Sequence, residues 1–274
     1  MIVESAVPFA DLALARRLER AEAMSNVRAV DARARASPES GATWIEVAGA
    51  FAMFDGPASP ITQTFGLGML QLPTIAELEA IESFYGTRGA PVFHEISPLA
   101  DPALVPMLCD RGYQPFEFTS VMYRPIGGTA ALDGRATAGN VVVRLIGESE
   151  AEVFARTAAE GWREFGHGDF MYDMQRVNAA SEGIRLFLAE LDGRPIATAA
   201  LVLCDGVAHL AGASTIPDGR KRGAQNALLD RRLQYAAEQG CDIALMGALP
   251  GSGSQRNAER HGFRIAYTRI KWKR

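Results

Sequence analysis

Arg220, Arg222 and Gly223 lie between a strand-like run and a helical one, inside the stretch from Thr215 to Leu229. The run from Val207 to Thr215 reads as a strand leading in. Leaving it, Leu229, Leu233, Ala236 and Ala237 share one helical face, and Gly240 sits where such a helix stops. Residue types in this order suit an anion. Gly223 lets backbone approach a ligand closely. The first N–H groups of the helix, on Gly223, Ala224 and Gln225, then point outward with roughly half a positive charge behind them. Two guanidinium groups add charge-assisted bonds to the same phosphate or pyrophosphate.

This stretch resembles the coenzyme A loop of the GNAT acetyltransferases, whose pattern is Arg/Gln-x-x-Gly-x-Gly/Ala after a strand ending in x-x-Pro. Pro217, Arg220 and Gly223 match, and Gln225 stands where the family has Gly or Ala. A second match follows: a short apolar run from Cys241 to Leu249, a loop, a short helix from Ser254 to His261, then Gly262-Phe263, similar to the Gly-Phe that closes the second family motif. The resemblance covers about residues 141–274. It implies acetyl-CoA as cofactor, held by Ala213, Ser214 and Thr215 along the pantetheine, by Arg220, Arg222, Gly223, Ala224 and Gln225 at the pyrophosphate, and by Ser254 and Asn257.

The resemblance also implies direct transfer of an acetyl group to an amine in a ternary complex. An ammonium with a pKa near ~10 must first lose its proton, and a hydroxyl protonates the departing thiolate. His209, in the strand before the loop, is the candidate base. The family's tyrosine acid falls on Ala258, so Ser254 and Tyr267 are the substitute candidates. Trp162, Phe165 and His167 fall where the family lines its acceptor pocket. A non-catalytic coenzyme-A sensor and a tandem-GNAT acyl or aminoacyl transferase are the alternative readings.

Composition sets the frame. The chain has 274 residues, 48% hydrophobic and 22% charged, as a globular protein does. A net charge of −4 argues against a general nucleic-acid partner. Residues 1–140 carry 10 basic and 16 acidic side chains and residues 141–274 carry 18 and 16, so the half with the anion loop is the more basic. Cys109, Cys204 and Cys241 lack metal or disulfide spacing, no metal site is expected, and no apolar run is long enough for a membrane span. A cytoplasmic enzyme acting on a small-molecule or peptide amine is the expectation.

The elements around the loop recur. Gly89 to Gly112 spans 23 residues and Gly240 to Gly262 spans 22; Gly112-Tyr113 lies where Gly262-Phe263 lies. This spacing predicts a degenerate internal repeat. Counting 17 residues back from Gly240 reaches Gly223, whereas the same count from Gly89 reaches Leu72, before Pro73, which has no N–H to offer. The expected architecture is α+β: two GNAT-like domains, each a mixed, mainly antiparallel sheet flanked by helices. Residues 1–126 form the degenerate copy, the glycine-rich residues 127–140 a linker, and residues 141–274 the acetyl-CoA-binding domain. Within them, Thr74 and Glu77 have capping-box form, Ser149 is the expected cap of a helix reaching Trp162, and Asp192-Gly193 signals a hairpin.

Overall fold

The computed structural model describes residues 7–127, 140–166 and 168–274, so most of the expected linker, and His167, lie outside the described residues. In chain order the elements are α1 Leu12–Ala36, β1 Thr43–Val47, β2 Ala50–Phe54, β3 Gln63–Phe65, α2 Ile75–Gly86, β4 Phe93–Ile96, α3 Leu104–Asp110 and β5 Gln114–Pro125. There follow β6 Val141–Leu145, α4 Ala151–Trp162, α5 Gly168–Ala179, β7 Ile184–Leu191, β8 Arg194–Cys204, β9 Val207–Thr215, α6 Ala224–Glu238, β10 Ile243–Ala248, α7 Gly253–Arg260 and β11 Arg264–Lys273. The chain forms two compact units. One holds residues 8–124 and 246–274; the other holds residue 7 and the described part of residues 125–245.

In the first unit the strands follow the order β1-β2-β3-β4-β11-β5. All pairs are antiparallel except β3 with β4. The run from Trp44 to Phe54 is a hairpin, because Ala48 and Gly49 both take positive φ (53° and 75°) and turn the chain. Both faces of β2 are covered, and its side chains alternate between two cores. Ala50, Ala52 and Phe54 join Leu78, Ile81 and Leu104 of α2 and α3; Phe51 and Met53 join Val27 and Val30 of α1. That second core is built on α1, which runs to Ala36. The capping box of α2 is present as expected: Thr74 Oγ1 accepts from the Glu77 N–H, and Glu77 Oε2 accepts from the Thr74 N–H at 2.7 Å.

The last strand departs from the expected boundaries. Instead of closing a sheet made from residues 141 onward, β11 lies between β4 and β5 and is hydrogen-bonded to both. Its inward side chains explain the placement. Arg269 is buried against Glu19 and Glu22 of α1 and Glu95 of β4, with its guanidinium 4.8 Å from the Phe65 ring centre. A buried cation left without these carboxylates would cost several kcal/mol, about 3–5 by comparison with broken buried pairs, which fixes the strand in register.

The spacing repeat has a structural counterpart. The order helix, strand, helix, strand recurs in α2-β4-α3-β5 and α6-β10-α7-β11. Both short helices end alike: Tyr113 N–H donates to Leu108 O and Phe263 N–H to Ala258 O, each at 3.0 Å, past glycines at φ 84° and 78°.

In the second unit β6, β7, β8 and β9 form an antiparallel meander and β10 joins β9 in parallel. The β7–β8 turn has Asp192 at φ 51° and Gly193 at 78°, as the Asp-Gly signal predicts. Alternation along β7 puts the helices on opposite faces: Leu186 and Leu188 pack on Phe154 of α4, whereas Phe187 meets Tyr235 of α6. Ser149 does not cap α4. Residues 148–150 form a short 3-10 turn first, and Glu150 precedes the helix without a side-chain cap bond.

Candidate cofactor and acyl-transfer site

Pairing between β9 and β10 covers only Val207–Ile243, Ala208–Ala244 and His209–Leu245. β9 continues to Thr215 with no β10 partner paired beyond His209, so one backbone edge of Leu210 to Thr215 is left for another hydrogen-bonding chain. On its other side β9 keeps pairing with β8, through a bulge: Thr198 faces Ser214 and Ala200 faces Ala211, leaving two residues, Gly212 and Ala213, opposite one. Gly212 takes φ +59°, a conformation that suits glycine. A glycine inside a strand pattern is the one sequence signal that could have located this bulge.

The bulge is held from the α6 face by Arg232, which the sequence reading did not single out. Arg232 is 4% exposed; its Nη1 donates to Ala200 O at 3.1 Å and Ala211 O at 3.4 Å, and its Nε to Leu228 O at 3.2 Å. These partners are carbonyl oxygens, not carboxylates, and burial alone pushes the guanidinium pKa down to about 9.

Beyond β9, Pro217–Gly219 make a 3-10 turn, and Gly223 enters α6 at φ 82° with no side chain capping the first turn. Lys221, with φ 61°, helps reverse the chain. The resulting helix start has its N–H groups uncovered beside Arg220 and Arg222, the geometry that suits a phosphate. Arg220 is engaged: its Nη1 lies 2.6 Å from Glu164 Oε2, both side chains being about half exposed.

Two proposed contacts have structural duties. Ser214 turns its hydroxyl into α4, donating to Ala158 O at 3.0 Å. Gln225 folds back on β9, with Nε2 donating to Ser214 O at 3.0 Å and Thr215 Oγ1 at 2.7 Å. Its extra bulk, relative to the Gly or Ala of the pattern, pins the turn. Gly161 makes the close approach of α4 possible: a Cβ there would collide with Ser214 Oγ and come within 3.0 Å of the Thr215 carbonyl.

The remaining candidates divide between the units. His209 is buried on β9, 6% exposed, at the last β9–β10 pair. Trp162 ends α4, partly buried, and the backbone of Phe165 lies in the turn after it. Ser254, Asn257 and Tyr267 belong to the other unit. Ser252, not Ser254, caps α7, accepting from Gln255 N–H, which leaves Ser254 exposed. Tyr267 is buried, donates to Glu19 Oε1 at 2.8 Å, and has a pKa raised well above the usual phenol by desolvation and by Glu19. A phenol so committed is a poor proton donor to a thiolate, so we do not retain it as the acid.

Comparison with known proteins agrees with this architecture. Residues 130–252 match the family described as "Acetyltransferase (GNAT) domain". A GCN5-related N-acetyltransferase from Kribbella flavida superposes with a TM-score of 0.65 at 19% identity, over 90% of this chain and 94% of that one. A tandem GNAT protein from the clavulanic acid biosynthesis pathway gives 0.59 at 11% identity, over 82% and 78%. A putative GNAT-family acetyltransferase from Novosphingobium aromaticivorans gives 0.53 at 16% identity, over 88% and 93%. No curated protein matches the sequence. The chain therefore shares the fold of GNAT proteins, and its residues 130–252 carry the match to a GNAT acetyltransferase domain, which supports acyl transfer as its chemistry.

Proposed function

We propose that the protein is an N-acetyltransferase that takes the acetyl group of acetyl-CoA and passes it to an amine of a small molecule or peptide. The observation that carries this reading is the unpaired edge of β9 running into an uncapped α6, with Gly223 at the turn and Arg220 and Arg222 beside it. Pantetheine amides pair with the β9 backbone near Ala213 and Thr215, and the pyrophosphate sits on the first N–H groups of α6. His209, at the fork where pairing ends, takes the ammonium proton. The amine nitrogen then bonds to the acetyl carbon, the C–S bond breaks, and the departing thiolate takes up the proton that the nitrogen sheds on becoming an amide. Arg232 fixes the bulge against which the thioester lies.

The first half is read as a degenerate GNAT-like copy without cofactor. The start of α2 holds its own carboxylate, Glu77, hydrogen-bonded to the Thr74 N–H, which holds that acid below its usual pKa. A phosphate would meet an occupied donor and a negative charge. None of the three cysteines is in a disulfide, and Cys109 is exposed, in keeping with our reading of a cytoplasmic protein. Ala258, where the family has its tyrosine acid, favours the second reading, a coenzyme-A sensor without turnover.

The test is calorimetric titration with acetyl-CoA. One site per chain is expected, weakened at least roughly tenfold by Arg222→Glu, since ~1.4 kcal/mol is one decade. Proline at position 223 is unsuitable, because Gly223 holds φ 82° and proline needs about −65°. No binding at millimolar acetyl-CoA by the folded protein would end this reading; binding without turnover across amine classes would favour the sensor.

A further inference from the structure

The β9 bulge is approached by a polar side chain from each face. Arg232 reaches it from α6. From α5 comes Gln175, 0% exposed. Its Oε1 accepts from Asn178 Nδ2 at 3.2 Å, but its Nε2 is buried with no hydrogen-bond partner. A buried amide donor left unpaired opposes folding, and such groups are uncommon enough in folded proteins to call for a reason.

What Nε2 faces is Gly212. A carbon placed where a Cβ would be on Gly212 lies 3.8 Å from Gln175 Nε2 and 3.5 Å from Ala200 Cβ, both ordinary van der Waals distances. The side chain nearest the glycine of the bulge is therefore an amide with an unsatisfied N–H, while on the other face Arg232 holds the bulge through carbonyl oxygens alone. A thioester at the bulge would bring a carbonyl oxygen, which is the acceptor that Nε2 lacks.

We propose that Gln175 reads the acyl group of the cofactor, its Nε2 donating to the thioester carbonyl oxygen when the acetyl group is seated over Gly212. This inference rests on the acetyl-CoA reading above and adds a residue that distinguishes the acylated cofactor from the free thiol. The same bond strengthens as that oxygen gains negative charge during attack by the amine.

The experiment titrates acetyl-CoA and free CoA separately into the parent, Gln175→Met and Gln175→Asn, with melting curves for each. The parent should prefer acetyl-CoA by about tenfold, the worth of one buried hydrogen bond. Gln175→Met, nearly equal in size but without a donor, should bind free CoA within about twofold of the parent. It should lose the preference for acetyl-CoA and melt close to the parent, because removal of the unpaired donor offsets the lost bond from Asn178. Gln175→Asn, with its amide drawn back by one methylene, should lose the preference too, and it decides the matter if the methionine variant does not fold. Equal binding of the two ligands by the parent overturns the inference and leaves the cofactor reading standing, as does a Gln175→Met protein that keeps the preference. Binding of neither ligand by the parent removes the cofactor reading and the inference with it.

Discussion

Acidification should loosen the unit formed by residues 8–124 and 246–274, and His94 should be the cause. His94 lies on β4 between Thr64 and Trp272, fully buried, its ring 4.9 Å from that of Tyr113. Neither ring nitrogen has a hydrogen-bond partner. Burial pushes its pKa down to about 4, against a weaker upward pull from Glu82. In the unfolded chain the value is about 6.5. The unfolded state therefore binds the proton more readily, so stability is full above about pH 6.5 and is lost as pH falls toward 4. The whole shift corresponds to about 3 kcal/mol, of which about 2 should be lost between pH 7 and pH 5. The perturbation is His94→Leu, which removes the titrating group. Urea unfolding at pH 7, 6 and 5 can be followed by tryptophan fluorescence, since Trp44 and Trp272 lie in this unit. The difference in stability between parent and variant should shift by about 2 kcal/mol across that range, in favour of the variant at low pH. Glu82, held at a pKa of about 2 by Arg111, titrates in both proteins and lower, and so cancels. Parallel loss of stability in the two proteins would refute the buried neutral imidazole.

Two further outcomes concern the cofactor turn. Glu164→Gln should tighten acetyl-CoA binding, because it removes one exposed ion pair of Arg220 worth ~0.2–1 kcal/mol, which converts to a gain of roughly 1.4- to fivefold. The gain should shrink at high salt in calorimetry, and unchanged or weaker binding would remove Arg220 from the phosphate site. Gly161→Ala should lower the melting temperature, although alanine favours a helix interior by about 1 kcal/mol. The new Cβ strikes Ser214 and the Thr215 backbone, an overpacking cost of about 1–3 kcal/mol. A variant that melts higher would show that α4 does not sit so close to β9.

Local signals were enough for much of this protein. Gly223 between Arg222 and an apolar helical face marked a strand–turn–helix, because left-handed turns select glycine and helix faces repeat at 3.6 residues. Thr74 with Glu77, and Asp192 with Gly193, announced their cap and hairpin for the same reason: the partners lie within a few residues. The matching ends of α3 and α7 were visible as Gly112-Tyr113 and Gly262-Phe263. What the sequence by itself left undetermined depends on residues far apart in the chain. The seat of β11 between β4 and β5 follows from Arg269 meeting Glu19, 250 residues away, and composition carries no trace of that pairing. Tyr267 read as a free hydroxyl until that same cluster claimed it. Arg232 read as one more polar residue on a helix, and Gln175 as another. Only the stacking of α6 and α5 on opposite faces of the meander brought them to a single bulge at Gly212, because desolvation and an unpaired donor are properties of a packed interior, not of a residue type.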